Sequence, residues 1–277
     1  MNSLRRFLKK VIPLPLISYI RKIRYRTPEF KWFKSYGSWE IAKKNASGYD
    51  EGHILEKCKT ALSQVRDGLA TYERDSVLFD KIEYSWGLLA ILQRAAIENN
   101  NELCVLDFGG SLGSSFFQNK DFLSSLSKIK WCIVEQPNFV SCGKENFENE
   151  NLKFYYTIED CMKENKPQVL VLSSVLQYLE EPFEWIKRFN SIGIPYIVVD
   201  RLSFIKNSCD VPCVQNVPEF IYKASYPCWF FEKEKFTTAF TGHYELLGYF
   251  NSGYTPPMKL DGKTIYWEGL ILKNEIS

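Results

Sequence analysis

The chain has 277 residues, with 35 Lys and Arg against 33 Asp and Glu, which gives a formal net charge of +2. This near-balance argues against nucleic-acid binding through bulk charge, because proteins that track phosphates usually carry a strongly basic domain. The length and the apolar fraction of 45% are those of an ordinary globular protein with one large domain or two small ones, so neither a disordered nor a fibrous class fits.

Residues 1–29 are predicted to be a basic N-terminal segment. Eight Lys or Arg residues lie between positions 5 and 26, and the first acidic residue is Glu29. They flank an apolar run at residues 11–20, which is shorter than the roughly 20 residues of a membrane-spanning helix. Cations rather than a small-residue cleavage site follow the run, so it does not fit a secretory signal. Two interpretations stay open, a peripheral membrane anchor that pairs with anionic lipid through residues 5–26 and a solvated basic strap.

Residues 30–100 are predicted to form a helical cap. Apolar residues recur at a spacing of three to four over residues 54–66 and 77–97, which is typical of helices. The polar run E-N-N-N-E at residues 98–102 then separates this region from a different pattern. We therefore place a second domain at residues 101–277.

That second domain alternates short apolar strands with helix-compatible stretches. The predicted strands are residues 103–108, 131–135, 152–156, 169–173 and 196–200, and helices are expected over residues 112–126 and 183–190. This alternation predicts an α/β fold with a Rossmann-like, doubly wound parallel sheet. Residues 244–250 and 264–272 are expected to add a C-terminal antiparallel hairpin at one edge.

The eight cysteines favour neither a metal site nor a disulfide framework. No CxxC pair occurs, and the closest pair, Cys209 and Cys213, has no nearby histidine that would complete a zinc site. We expect reduced thiols, no bound metal and a cytoplasmic protein. If the basic segment is an anchor, the protein would also lie at the inner face of the cell membrane.

A glycine-rich loop follows the first predicted strand of the sheet. It comprises Asp107, Gly109, Gly110, Ser111 and Gly113. Glycines let the backbone turn tightly and approach a ligand, and the start of the next helix offers free N–H groups. The spacing differs from the dinucleotide fingerprint, which makes a nicotinamide oxidoreductase a remote alternative. Glu135 ends the second strand, where a carboxylate is placed to accept both hydroxyls of a ribose.

This combination of loop, spaced acid, parallel strands and terminal hairpin resembles the class I S-adenosylmethionine-dependent methyltransferases. The resemblance spans about residues 103–273. It implies S-adenosylmethionine as cofactor, with the loop against its methionine part and the acid of strand two on its ribose. The cofactor-binding residues expected on this basis are Asp107, Gly109, Gly110, Ser111, Gly113, Glu135, Gln136 and Ser173.

Further segments resemble a narrower group of methyltransferases found among bacterial surface-polysaccharide genes. These segments are residues 37–40, 48–50, 72–75, 172–179 and 225–229. The match extends over nearly the whole chain from about residue 30. It implies a sugar or surface-glycan precursor as acceptor.

Two departures from the common methyltransferase pattern are informative. Ser111 replaces the usual glycine, which should be tolerable if its φ is negative. After the fourth strand, residues 173–178 lack the Asn/Asp-Pro-Pro-Tyr motif with which many base methyltransferases hold a flipped base. We therefore expect no nucleic-acid substrate.

Methyl transfer from a sulfonium requires alignment of the acceptor and exclusion of water, and a hydroxyl acceptor also gains from a base. The acceptor should lie beyond the carboxyl ends of strands four and five, near Tyr178, Gln177, Asp200 and Arg201. Asp200 is the preferred base, and Arg201 is suited to an anionic acceptor. The alternative for Asp200 is a surface salt bridge. Tyr178 and His53 are the other candidate catalytic residues, while His243 is expected to have a polar packing role.

The leading hypothesis is a methyltransferase that uses S-adenosylmethionine and O-methylates a sugar or glycan precursor. The alternative is a non-catalytic cofactor-binding scaffold or regulatory subunit of a membrane-associated glycan assembly complex, because no unmistakable base is present. An aromatic cluster formed by Tyr226, Trp229, Phe230 and Phe231 is expected to be core, with sugar stacking as its alternative.

Overall fold

The computed structural model describes residues 32–47, 51–217, 224–252 and 256–275, without the side chains of residues 51–53. The basic segment at residues 5–26 and the segment at residues 48–50 therefore lie outside the described residues. The strands are β1 (Phe33–Ser35), β2 (Tyr72–Arg74), β3 (Val77–Phe79), β4 (Glu102–Phe108), β5 (Lys128–Val134), β6 (Leu152–Tyr155), β7 (Val169–Ser173), β8 (Tyr196–Ile205), β9 (Val211–Val217), β10 (Ala224–Phe230), β11 (Tyr244–Phe250), β12 (Met258–Leu260) and β13 (Lys263–Asn274). The helices are α1 (Trp39–Asn45), α2 (Glu51–Arg66), α3 (Trp86–Glu98), α4 (Ser114–Leu123), α5 (Pro137–Asn146), α6 (Ile158–Glu164), α7 (Pro182–Ile192) and α8 (Lys233–Thr238), with a short 3₁₀ turn at Leu176–Tyr178.

The central sheet has the order β11-β13-β8-β7-β4-β5-β6, and β12 pairs with β13. Strands β4 to β8 are parallel, whereas β13 is antiparallel to both β8 and β11. The prediction of an α/β, doubly wound sheet with a C-terminal antiparallel hairpin is therefore confirmed. The strand order reverses beside β4, so the carboxyl ends of β4, β5 and β7 form the crevice in which this class of sheet binds ligands.

Helices cover both faces of the sheet, which explains why its central strands are continuous apolar runs. On one face, Leu92 of α3 and Phe117 of α4 pack in a core cluster with Trp131 of β5. On the other, Phe189 of α7 and Phe236 of α8 belong to a second cluster. The two layers hold the strand ends rigidly, so side chains that follow the strands are well positioned.

The helix predicted over residues 77–97 is wrong in its first part. Residues 77–79 form β3, which pairs with β2 across a turn in which Asp75 has a φ of 52° and Ser76 a φ of 64°. Two consecutive positive φ values are typical of tight hairpin turns. The helix itself starts at Trp86, after the N-cap Ser85. A hairpin therefore occupies the place where helix was expected.

Strands β9 and β10 follow the end of β8 and were not predicted. They form a separate three-stranded sheet in the order β1-β9-β10, so a strand from residues 33–35 joins a sheet built from the second half of the chain. Nearby, Trp39 of α1 stacks on Trp229 of β10, with ring centroids 5.2 Å apart. The region at residues 30–100 is therefore not purely helical, although the boundary at residues 100–101 stays a prediction.

The aromatic cluster near residue 230 is mainly core. Phe230 and Phe231 are fully buried, and the partly buried Trp229 packs against the second core cluster.

All eight cysteines are free thiols. Within the described ranges, no helix is long and apolar enough to cross a membrane.

Candidate functional site

The glycine loop between β4 and α4 leaves no room for side chains at two of its positions. A Cβ on Gly109, whose φ is 72°, would lie 2.5 Å from Cγ2 of Val175. A Cβ on Gly110 would lie 2.6 Å from the carboxyl carbon of Asp107. Gly113, with a φ of 105°, is the N-cap of α4. Packing against Val175 and Asp107 therefore requires glycine at these two positions, and the loop leads directly into the start of a helix.

Ser111 departs from the expectation of a negative φ, because its φ is 54°. This left-handed conformation is costly for most residues other than glycine, Asn and Asp, so the surrounding loop must hold it. Its backbone N–H lies near enough to the carboxylate of Glu135 to lower the pKa of that group. A second backbone N–H, that of Gln136, donates to Oε2 of Glu135 over 2.6 Å. The strained serine thus helps to orient the acid at the end of β5.

Glu135 is half-buried, and burial raises the pKa of its carboxyl, while the N–H groups of Gln136 and Ser111 lower it. Two backbone donors fix the carboxylate and leave further lone pairs for a ligand. Gln136 itself is exposed at the N-cap of α5. The predicted ribose-binding acid therefore lies beside the glycine loop.

Asp107 lies at the end of β4 and is only 1% exposed. The indole N–H of Trp131 donates to its Oδ2 over 2.9 Å, and its Oδ1 has no hydrogen-bond partner among the described residues. Burial raises the pKa of Asp107 to about 7, although the Trp131 bond and the charge of Arg201 act in the opposite direction. An unpartnered buried carboxylate oxygen is costly, which is a reason to expect a ligand donor here.

Asp200 and Arg201 lie next to each other on β8, beside the carboxyl end of β7. Asp200 is 2% exposed, and its Oδ2 lies 3.6 Å from Nε of Arg201. Burial raises the pKa of Asp200, and the Arg201 charge partly offsets this effect. The guanidinium also donates to Oγ of Ser173 over 2.8 and 3.2 Å. The alternative of a salt bridge is therefore met by the contact with Arg201, but the carboxylate is buried and does not lie at the surface.

Gln177 connects the ends of β7 and β8. Its side-chain amide donates to Oγ of Ser174 over 3.1 Å and to the carbonyl of Arg201 over 3.2 Å. Its Oε1 and the Oδ1 of Asp200 are both buried and have no hydrogen-bond partner among the described residues. Ser174 and Arg201 have φ values of 56° and 55°, so both strand ends carry strained backbone. This corner therefore contains two buried acceptor oxygens, and the Ser85 side chain lies near enough to Asp200 to lower its pKa.

Tyr178 and the two histidines are less directly linked to this corner. The hydroxyl of Tyr178 donates to Oε1 of Gln215 in β9 over 2.9 Å, and its ring meets Tyr226 edge-on. His53 lies in the first turn of α2, but its side chain is outside the described residues. His243 is exposed in the turn before β11, so it has no buried packing role.

Glu73 of β2 joins the site and was not among the predicted site residues. Its side chain is buried, with 4% of the residue exposed. The hydroxyl of Ser114, at the start of α4, donates to Oε1 of Glu73, and the backbone N–H of Ser76 donates to Oε2. Burial raises the pKa of Glu73 to about 7, and the Ser114 bond and the charge of Arg201 are among the effects that lower it. The only sequence signal for Glu73 was that residues 72–75 resemble a segment of the narrower methyltransferase group. Nothing in the local sequence predicts that this hairpin contacts the start of α4.

A separate cleft of about 650 Å³ lies at the far end of β8, lined in part by Lys206, Lys233 and Tyr266. Strand β8 continues from Asp200 to Ile205, a distance of roughly 16 Å in an extended strand. This cleft is therefore too distant to include the corner of β7 and β8. Among the described residues, no group of three or more His, Cys, Asp or Glu side chains is arranged to hold a metal ion.

No family model matches the chain, and no curated protein matches its sequence. Solved structures with a similar fold include a S-adenosylmethionine-dependent methyltransferase from Clostridium acetobutylicum, at 10% identity over 69% of this chain and 92% of that one, with a TM-score of 0.43. Human N-acetylserotonin methyltransferase in complex with SAM is 10% identical over 81% of this chain and 68% of that one, with a TM-score of 0.44. Magnesium protoporphyrin IX methyltransferase from Synechocystis, with bound SAM, is 11% identical over 83% of this chain and 99% of that one, with a TM-score of 0.42. At such values the likeness assigns no role to any residue here.

Proposed function

We propose that this protein is a S-adenosylmethionine-dependent methyltransferase that O-methylates a sugar or a related surface-glycan precursor. The observation that carries the proposal is the carboxylate of Glu135, which accepts the N–H of Gln136 over 2.6 Å and lies beside Ser111 of the glycine loop. A fixed carboxylate at the tip of the strand next to the switch point suits the two hydroxyls of a ribose.

The residues present fit such a cofactor. Gly109, Gly110 and Gly113 permit close approach of the backbone, and the buried Oδ1 of Asp107 lacks a partner that a ligand donor would supply. When bound, the cofactor supplies a methyl group on a sulfonium, which is already activated for in-line displacement. The tasks left to the chain are to align the acceptor oxygen and to exclude water.

The acceptor side of the site is the corner of β7 and β8. Oδ1 of Asp200 and Oε1 of Gln177 are buried acceptors without partners within normal hydrogen-bond distance among the described residues, although the Ser85 side chain lies near enough to Asp200 to lower its pKa. A group that fills this corner and brings hydrogen-bond donors would satisfy both oxygens. A polyol does so, and this supports a sugar. Asp200 would then accept the proton of the attacking hydroxyl, and Tyr178 and His53 are further candidates for that role.

The test is release of demethylated cofactor by the purified full chain, supplied with S-adenosylmethionine and a fractionated extract of nucleotide sugars and surface-glycan precursors. Asp200→Asn should lower turnover about 10²- to 10⁴-fold, which is the usual contribution of a general base. It should leave the affinity for S-adenosylhomocysteine unchanged. Equal turnover of wild type and Asp200→Asn would remove Asp200 from the mechanism.

The alternative function is a cofactor-binding scaffold or regulatory subunit without turnover. The contact of 3.6 Å between Asp200 and Arg201 favours it, because the cation lowers the pKa of the carboxylate and so offsets part of the rise that burial causes. Tight binding of S-adenosylhomocysteine together with no methyl transfer to any extract fraction would support this alternative and contradict the enzyme proposal.

A further inference from the structure

Two side chains of opposite charge, contributed by distant parts of the chain, approach the glycine loop. Glu73 reaches it from the β2–β3 hairpin and bonds the hydroxyl of Ser114 at the start of α4. Arg201 lies on β8, and its guanidinium donates to Oγ of Ser173 at the carboxyl end of β7, the strand that pairs with β4. From there its positive charge lowers the pKa values of Asp107 and Glu73.

The positions that the proposed function gives to the ribose and the methyl group limit where the rest of the cofactor can lie, so this argument rests on the proposed function. A sulfonium bears three substituents: the adenosine, the methyl group and the amino-acid tail. If Glu135 holds the ribose and the methyl group faces Asp200, the tail extends over the glycine loop toward α4. Glu73 lies there, bonded to Ser114. The tail is a zwitterion, so it requires both an anionic and a cationic partner.

We propose that Glu73 pairs with the α-ammonium group of the cofactor's amino-acid tail and that Arg201 pairs with its carboxylate. Arg201 therefore serves the cofactor rather than an anionic acceptor. Glu73 becomes a binding residue supplied by the cap.

The burial of these groups supports the pairing. Glu73 is 4% exposed and Asp107 is 1% exposed, and a buried carboxylate is stable only when it is paired or well hydrogen-bonded. Oδ1 of Asp107 has no hydrogen-bond partner among the described residues. An ammonium group offers three donors and one positive charge, which suits the buried carboxylate of Glu73. The Arg201 guanidinium, which now bonds Ser173, suits bidentate binding of a carboxylate.

Calorimetry with three ligands tests the pairing on the full chain. The ligands are S-adenosylhomocysteine, its analogue without the amino group and its analogue without the carboxyl group. Glu73→Gln should weaken binding of S-adenosylhomocysteine and of the decarboxylated analogue about 10- to 100-fold, and it should leave binding of the deaminated analogue nearly unchanged. Arg201→Gln should show the reverse selectivity.

Glu83→Gln is the matched control, since Glu83 is an exposed acid near the hairpin whose carboxylate pairs with Arg74 over 2.9 Å. It should change the affinity for none of the three ligands. Equal losses for all three ligands in Glu73→Gln would overturn the pairing. If a variant fails to fold, the wild-type protein still tests the pairing. Equal affinity of wild type for S-adenosylhomocysteine and for the deaminated analogue would show that no residue pairs with the ammonium group, and this would overturn the proposal. Failure of wild type to bind any of the three would instead contradict the proposed function.

Discussion

The end of β4 shows how closely neighbouring residues constrain one another. The carboxylate of Asp107 occupies the space beside Gly110, and the indole of Trp131 holds that carboxylate in place. The glycine is therefore required by a side chain three positions earlier as well as by any ligand. A substitution in the loop should disturb the buried acid first.

Gly110→Ala tests this packing. A Cβ there would lie 2.6 Å from the Asp107 carboxyl carbon, so the loop must shift, and we expect the free energy of unfolding to fall by about 1–3 kcal/mol. The affinity for S-adenosylhomocysteine should fall as well. Gly37→Ala is the control, because no atom lies within 4 Å of its Cβ position, and it should change stability by less than about 0.5 kcal/mol. Equal effects of the two variants in denaturant unfolding and calorimetry would refute the packing argument.

The buried carboxyls of Asp107 and Glu73 predict an unusual pH dependence. Each has its pKa raised to about 7 in the folded protein, whereas an unfolded Asp or Glu has a pKa near 4. Between pH 4 and pH 7 the folded state therefore binds more protons than the unfolded state, so these groups make stability fall as pH rises. Above pH 7 both carboxyls are ionised in the folded and in the unfolded protein, so their destabilising contribution is complete and no longer changes with pH.

Asp107→Asn should reduce this slope, because the amide does not ionise. We expect wild type to lose stability from pH 5 to pH 8 by an amount on the order of a few kcal/mol relative to the variant. Denaturant unfolding of both proteins at the two pH values measures the difference. An identical change in wild type and Asp107→Asn would show that Asp107 does not ionise with a raised pKa.

For single residues, the sequence predicts the positions of side chains that depend on one strand or loop. The positions of Asp107, Gly110 and Glu135 could be predicted because strand ends and a glycine run place them, while their roles stay predictions. The left-handed φ of Ser111 and the approach of Glu73 could not, because both depend on contacts between segments far apart in the chain.

Among the elements, the alternating strands and helices of the second half were predictable because each central strand is a buried apolar run. The β2–β3 hairpin was not, since Val77, Leu78 and Phe79 fit a helical spacing equally well and only pairing with β2 decides. Strands β9 and β10 depend on pairing with β1, which no local pattern reveals.

Trp39 of α1 packs against Trp229 of β10, and substitution of Trp39 tests that contact directly. It is 5% exposed and stacks on Trp229, so Trp39→Ala should lower the free energy of unfolding by about 3–5 kcal/mol. Trp86, which is 65% exposed, supplies the control, and Trp86→Ala should have a much smaller effect. Similar losses for the two tryptophans would mean that the cap does not pack on β10 as described.

Across the whole molecule, the net charge of +2 conceals an uneven distribution. Eight of the 35 cations lie within residues 5–26 and no acid precedes Glu29, so the rest of the chain is net acidic. The acidic residues of the site suit a cationic cofactor. The basic segment lies outside the described residues, and a peripheral membrane role for it is a proposal.

Vesicle sedimentation tests that proposal. The full chain should associate with vesicles that contain anionic phosphatidylserine, and the association should weaken as salt is added, because cations attract the anionic surface. A chain that lacks residues 1–26 should stay in the supernatant. Neutral phosphatidylcholine vesicles are the control. Equal association of both chains with anionic vesicles would leave the basic segment as a solvated strap.

The central claim is that the crevice beside β4 binds S-adenosylmethionine through Glu135. Calorimetric titration of the full chain with S-adenosylhomocysteine tests it most directly, with Glu135→Ala beside the control Glu102→Ala at the opposite end of β4. We predict binding at one site, with affinity at least about tenfold weaker in Glu135→Ala and unchanged in Glu102→Ala. No heat of binding to wild type, or equal affinities in wild type and Glu135→Ala, would contradict it.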